Sequence, residues 1–462
     1  MTGHVIVDQP VPWARIEAWS TGGRFRKDEA VFWEVTAMTV QNEKFPWKPS
    51  FWAPDCVEPT NVLGLQDVEV DLAVIGGGFA GMSCAYYAKK ARPDLSVAVF
   101  ESEYIGFGPS GRNFGAVAPG VRELRAGILD LPDAEEDRFA VQWYLGKREE
   151  LERRIAEGGI ECEYRDEQLM MQALDEPAWE AMQRESEVLT ARGTPHLLLD
   201  REAVEKEMAL PYRPLGAIVR TAWRAVQPFK LARGFGQQLR DMGVAVHEGT
   251  RVADFSDSGD AVVLRTADGA TISARKAVLA TNAYTLHLSK AASLVFPRHT
   301  YVIATEALDD ERLASLGFGT YKFVEDSGFV FYYSRVYKGH LLIGGGELTT
   351  GFFTPSTVDR DADTKTVEFQ RLYDEMVRRW PQLDGVKIEA AWAGPIDMTE
   401  NFAPIIRTLD DMPNVTACVG FNGEGLMSGS LAGLLAIGQI LGPDYVDPDA
   451  ERVRQYLLQP ID

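Results

Sequence analysis

The stretch DLAVIGGGFAG at residues 71–81 carries the strongest chemical signal in this chain. An apolar run stops at Gly76, Gly78 and Gly81, which fit G-x-G-x-x-G, and Glu101 follows twenty residues after the last of them. The first glycine permits a tight turn. The second lets backbone approach a pyrophosphate, and the third lets the next helix pack on the strand. The free N–H groups and positive dipole end of that helix then face the phosphates. An acid at the end of the following strand suits a ribose hydroxyl. The flanks agree: residues 70–75 read as a strand, 79–90 as a helix, and 96–100 as a second strand ending on the acid. The pattern predicts dinucleotide binding; the alternative is a glycine-rich turn in an ordinary βαβ unit.

Two later clusters bear on the same chemistry. Residues 106–115, GFGPSGRNFG, combine glycines, a hydroxyl, an arginine and an amide. Such a set offers backbone donors and a fixed positive charge to a pyrophosphate or a heterocycle, unless it is a surface loop. Residues 420–429, GFNGEGLMSG, open the last apolar helix, 426–441. A helix N-terminus stabilises the negative charge that a reduced flavin carries near N1 and the C2 carbonyl. The alternative is a plain helix start.

These clusters must be brought together by the elements between them. Residues 133–158 and 176–192 read as solvated charged helices, the first with Glu149–Arg153 and Glu150–Arg154 at i,i+4. Residues 229–242 form a helix ahead of a strand at 244–249, and 261–266 and 271–274 flank a hairpin turn. Residues 277–280, 299–304, 328–334, 340–344, 387–392 and 415–419 have strand character, and 364–379 are helical. The first and last glycine clusters belong in one nucleotide domain, so the strand-rich part between them forms an interleaved second domain. Residues 1–65 hold Trp13, Trp19, Trp33, Trp47 and Trp52 with several prolines. A segment so rich in Trp is expected to wrap over the main body, as surface cover or as the lining of an entrance.

Composition narrows the class. At 462 residues two domains are the prior, and a net charge of -21 argues against a nucleic-acid partner. Cys56, Cys84, Cys162 and Cys418 are scattered, with no metal-ligand spacing and no C-x-x-C. A reduced, cytoplasmic setting fits. The longest apolar stretch, 426–441, is interrupted by glycines and a Gln and is too short to span a bilayer.

Taken together, the three clusters resemble the flavin-dependent amine and amino-acid oxidoreductases of the D-amino-acid oxidase superfamily. The loop IGFGPSGRNFG is similar to that of γ-glutamylputrescine oxidoreductase-like members, and the glycine and sarcosine oxidase-like members share the overall order. The likeness runs from about residue 67 to 442 and takes in VAVHEGTRV, AVLATNAYT, YVIATEAL and LLIGGGE. It implies a mixed α/β fold, with a Rossmann-like FAD-binding domain and an interleaved antiparallel-sheet substrate domain. Residues 66–125, 200–290 and 390–462 would form the first, 126–199 and 291–389 the second, and 1–65 an N-terminal arm.

The resemblance also assigns residues. Gly76, Gly78, Phe79, Ala80 and Gly81 would hold the pyrophosphate, with Glu101 and Ser102 at the adenosine ribose. Ser110, Gly111, Arg112 and Asn113 would lie along the pyrophosphate and flavin edge. Val252 would meet adenine, and Thr281 and Asn282 would close over the adenosine half. Gly423, Glu424, Gly425, Leu426 and Met427 would sit at the pyrimidine end of the flavin. Many relatives carry His at the position of Glu424, and Gly at that of Phe114. Sarcosine oxidases link flavin to a Cys in the strand-rich domain, but residues 290–400 contain no Cys, so FAD is expected to be non-covalent.

Tyr333, Arg335 and Trp392 fall where relatives line the substrate pocket. Arg335 could clamp a carboxylate or sit in an ion pair, Trp392 could wall the site or pack in the core, and only one of Tyr332 and Tyr333 can face it. The implied activity is oxidation of an amine or N-substituted amino acid by hydride transfer to flavin, with O2 as the expected re-oxidant. A dehydrogenase with another acceptor and a tailoring flavoprotein with altered chemistry are the alternatives. A nicotinamide site would need a second G-x-G-x-x-G, and Gly344–Gly346 lack that spacing.

Overall fold

The apolar run VEVDLAVI forms the strand Val68–Ile75, and Gly76 ends it in the left-handed region at φ 103°. The computed structural model describes residues 44–118, 134–327, 331–346, 366–400 and 402–458, all within one compact unit, Val40–Asp462. Val68–Ile75 lies inside a sheet of eight strands, parallel to Val97–Phe100 on one side and to Thr271–Leu279 on the other. Ala245–His247 extends the sheet beyond Val97–Phe100, and Met412–Val419 and Ile405–Leu409 extend it beyond Thr271–Leu279. The expected hairpin is present, Val262–Thr266 pairing antiparallel with Thr271–Leu279, which is one long strand rather than two short runs.

One face of this sheet is covered by the helices Phe79–Ala91, Pro228–Asp241 and Ala432–Leu441, which share a core with Val74, Val99 and Val278. The second sheet also has eight strands, in the order Ile388–Met398, Phe296–Thr305, His340–Gly346, Phe331–Tyr337, Phe323–Asp326, Leu169–Ala173, Gly216–Arg220, His196–Asp200. Its pairing is antiparallel except between Phe323–Asp326 and Leu169–Ala173. Helix Thr366–Arg379 closes one face through Phe369, Leu372 and Met376. Gly216–Arg220 and Ile388–Met398 come from chain ranges that were expected mainly in the nucleotide part, yet they pair in this sheet.

Three sequence expectations need correction. The apolar stretch 426–441 is not one helix: Met427–Ser430 is separated from Ala432–Leu441 at Leu431. The cause is Ser83 of the motif helix, whose hydroxyl donates to Ser430 O at 2.8 Å and accepts from Gly433 N at 2.9 Å. A side chain inserted into the backbone ladder interrupts it. A charged helix, Pro448–Leu458, follows it. Helix Ala134–Glu157 is not wholly solvated either. Arg154 is buried, its guanidinium 3.7 Å from the Phe235 ring centroid and its Nε donating to Gln238. Arg153 pairs with Glu150 and Glu157 instead of Glu149.

The described part of the N-terminal segment acts as cover. Trp47 bridges to Ala391 at the edge of the second sheet, Ser50 Oγ donates to Gly111 O at 2.8 Å, and Trp52 packs on Tyr337. Trp13, Trp19 and Trp33 lie outside the described residues. The segment is pinned by Glu248, a buried carboxylate that accepts from Thr60 N at 2.7 Å, Thr60 Oγ1, Ile105 N at 2.8 Å and Arg233. Burial alone would raise its pKa; the Thr60 hydroxyl, the Ile105 N–H and Arg233 outweigh burial and hold it below the usual value. With the folded value depressed, its stabilisation is complete above the unfolded carboxyl range and is lost as pH falls through the folded value. Glu248→Gln is expected to cost about 3 kcal/mol at neutral pH and to flatten the acid limb of the stability curve, read by thermal unfolding against pH.

Candidate functional site

The glycine motif builds a cradle that no other residue type fits. A Cβ on Gly76 would lie 2.4 Å from Ala280 O, and one on Gly81 would lie 2.0 Å from Gly76 O. A Cβ on Gly78 would come within 3.1 Å of Ser110 Oγ, which accepts from Phe79 N at 2.9 Å. The second cluster is thus seated on the first turn of the motif helix. Glu101 Oε2 accepts from Gly77 N at 2.8 Å, and its Oε1 accepts from Ser102 Oγ and Glu103 N. Burial raises its pKa. Thr250 N donates to Glu101 O at 2.7 Å, which ties the chain just before Val252 to the backbone of the acid.

The remaining cofactor candidates converge on the same place. Ala80 N lies 3.5 Å from where a Cβ on Gly429 would sit, so the last glycine turn abuts the motif helix. Asn282, at φ 50°, donates from Nδ2 to Asp397 Oδ1 at 2.9 Å, and Phe421 N donates to the same oxygen at 3.1 Å. Gly420 N donates to Asp397 Oδ2. Asp397 was not anticipated from the sequence; it is the one acid in the apolar run AAWAGPIDM, and it ties the Thr281–Asn282 loop to the turn that carries Gly423, Glu424 and Gly425. Burial pushes its pKa up to about 7 against those N–H donors. Leu426 and Met427 are buried at the start of the short helix Met427–Ser430.

The second cluster is fastened to the second sheet as well. Arg112 is buried and donates from Nε to Phe107 O at 2.7 Å and from Nη1 to Ala393 O at 2.9 Å. Trp392 Nε1 returns a bond to Arg112 O at 2.9 Å. Asn113 Nδ2 donates to Pro109 O and Ser110 O, and its Oδ1 accepts from Gly115 N. Gly111 is required here, since a Cβ on it would lie 2.0 Å from Gly106 O. Arg112 and Asn113 therefore set the shape of the loop.

Two of the expected pocket residues are committed elsewhere. Arg335 is buried, with Nη2 bonded to Glu167 at 2.7 Å and Nη1 to Phe114 O at 3.0 Å and Val226 O at 3.3 Å. A substrate carboxylate would have to displace Glu167, so the clamp expected of Arg335 is corrected to a buried ion pair. Trp392 is fully buried, stacked on Phe51 and bonded to the loop, which makes it core rather than an open wall.

Tyr333 does reach a candidate substrate face. Its ring packs on Phe114 at 4.5 Å, and its hydroxyl lies 3.2 Å from Thr300 Oγ1. Gly344 makes this possible, because a Cβ there would lie 2.4 Å from the Tyr333 ring. Burial pushes the phenol up to about 12, so it stays protonated at neutral pH. Tyr332 is instead turned to Arg379. Arg298 shares the face of Thr300 by strand alternation. Among the described residues, its Nη1 bonds its neighbour's carbonyl, Pro297 O, at 3.0 Å, and burial lowers its pKa. Glu325 stands directly opposite Tyr333 in the ladder. Neither Arg298 nor Glu325 was singled out from the sequence. Among the described residues, no group of acids, His and Cys is arranged to hold a metal ion, and no helix is long and apolar enough to cross a membrane.

Residues 71–438 match the family described as FAD dependent oxidoreductase. The gamma-glutamylputrescine oxidoreductase of Escherichia coli (strain K12) is 30% identical over 390 residues, covering 84% of this chain and 86% of its own. Glycine oxidase from Geobacillus kaustophilus superposes with a TM-score of 0.65 at 20% identity, covering 81% of this chain and 95% of its own. L-proline dehydrogenase from P. horikoshii superposes with a TM-score of 0.66 at 18% identity, covering 86% and 100%. These two structures share the fold. The chain belongs to the FAD dependent oxidoreductase family, and the glycine cradle, the acid at the end of the second strand and the converging loops suit FAD. Gly81→Ala is expected to lower the flavin-to-protein absorbance ratio of the purified protein about tenfold, because the new methyl cannot be placed without parting strand from helix.

Proposed function

We propose that this member of the family oxidises an amine or an N-substituted amino acid at the C–H bond beside nitrogen. The observation that carries the reading is the row of Glu325, Tyr333 and Thr300 on one face of the second sheet, set against Phe114 of the loop that also seats on the motif helix. The pyrophosphate is assigned to Gly76, Gly78, Phe79, Ala80, Gly81 and Ser110, the ribose to Glu101, and the flavin to the residues from 110 to 113 and from 423 to 427. The first sheet is assigned to the cofactor and the second to the substrate. When bound, FAD accepts the hydride equivalent, and the substrate leaves as an imine for hydrolysis.

The protein's task is then orientation and exclusion of water. Phe114, Phe323 and Tyr333 pack together and dry the face. Tyr333, kept as a neutral phenol, offers one hydrogen bond in a fixed direction. Among the described residues, Arg298 rather than Arg335 is offered to a substrate carboxylate. The relative from Escherichia coli is an oxidoreductase named for an amine that carries a γ-glutamyl group, which supports an amine substrate here. O2 is the proposed re-oxidant.

The test is the visible spectrum of the flavin-loaded protein under nitrogen during addition of simple amines and N-substituted amino acids. Bleaching by one of these classes is expected, with rapid return of colour and peroxide on admitting air. A yellow protein that no amine bleaches would contradict the proposal. Colour that returns only with an artificial acceptor would assign a dehydrogenase instead.

A further inference from the structure

One acid on the substrate face has no role in the account so far. Glu325 lies in the strand Phe323–Asp326, opposite Tyr333. Alternation places its side chain with Phe323, which packs on Phe114, and away from Val324 and Asp326. Val324 belongs to the core under helix Thr366–Arg379, and Asp326 is held by Arg379 of that helix. The charged and titratable groups that act on Glu325 are Glu424 of the last glycine turn, Arg220, Glu185 and Tyr333, with Asp326 acting from the next position in the strand. Arg220 is already buried in an ion pair with Glu185. Glu325 itself makes no ion pair among the described residues. A carboxyl in this setting is costly to ionise, and desolvation with repulsion from Glu424 raises it to about 8.

Resting on the amine reading above, we propose that Glu325 binds the ammonium form of the substrate and takes its proton. In this step one N–H bond of the ammonium breaks and the proton passes to a Glu325 carboxylate oxygen. The electron pair stays on nitrogen as the lone pair that the oxidation requires. The proton leaves to solvent after product release. An amine free in water titrates near pH 10, like a lysine side chain, so at physiological pH nearly all substrate arrives charged. A carboxylate beside the phenol of Tyr333 converts that form on the enzyme. It also repels a carboxylate at the reacting end, so the favoured substrates are amines without an acid group beside the oxidised carbon.

The pH dependence follows. In the wild type, kcat/KM rises as Glu325 ionises and levels off above about pH 8, while the substrate is still an ammonium ion. In Glu325→Gln the plateau disappears, and activity tracks the free amine, climbing about tenfold per pH unit toward the amine's own pKa near 10. At pH 8 the loss is expected to be about 100-fold, with the two enzymes converging in alkali. Glu325→Asp should restore part of the plateau. A second readout needs no turnover: an alkyltrimethylammonium ion, which has no proton to give, should perturb the flavin band of the wild type at about tenfold lower concentration than that of Glu325→Gln. A Glu325→Gln enzyme with the wild-type pH profile and equal affinity for the quaternary ion overturns this role while leaving amine oxidation intact. A wild type that no amine bleaches overturns the amine reading and this role with it.

Discussion

The loop at residues 106–115 is held from both sides, and the rest of the site depends on that. Ser110 fastens it to the first turn of the motif helix. Arg112 and Trp392 exchange hydrogen bonds with backbone on the opposite partner, one from loop to strand and one from strand to loop. Arg335 adds a third bond at Phe114 O. Each of these donors is buried, and leaving a buried carbonyl without its partner costs about 1–3 kcal/mol. The two sheets therefore cannot shift independently near this loop. In the proposed reading, the loop thereby holds a cofactor on the first sheet and a substrate on the second at one spacing.

The second constraint is close approach of backbones. Gly76, Gly81 and Gly433 stand where any Cβ would strike a carbonyl group at 2.4 Å or less. The motif helix can thus sit directly on its strand and on the helix Ala432–Leu441. Ser83 then joins the two helices through a hydroxyl in place of the ladder bond that Gly433 would otherwise make. Asp397 works in the same way at the other end, gathering backbone N–H groups from the last glycine turn and an amide from Asn282.

Legibility in the sequence followed the range of the interactions. The strand, turn and helix around Gly76–Gly81 were clear because each glycine answers a local need, and the hairpin at 267–270 was clear for the same reason. The helix break at Leu431 was hidden, since it depends on Ser83, almost 350 residues away in the chain. Arg335 and Trp392 looked like pocket residues because the resemblance gives a position in the fold but not a partner; Glu167 and the Arg112 carbonyl decide their roles. Glu325 was passed over because a lone acid in a short strand carries no pattern. Its meaning appears only when the register sets it opposite Tyr333 and the fold brings Glu424 near. The strands Leu169–Ala173 and Gly216–Arg220 were missed because they are fully buried and show no alternation of apolar and polar residues.

The measurement closest to the central claim is made on Trp392→Phe, which removes one donor to the loop and leaves an aromatic ring in its place. Flavin content and the rate of anaerobic bleaching by amine should be read on the same sample. If the loop sets the spacing between cofactor and substrate, flavin is retained and bleaching slows about tenfold, in line with one buried carbonyl left unpartnered. Bleaching at the wild-type rate with full flavin content would contradict the account.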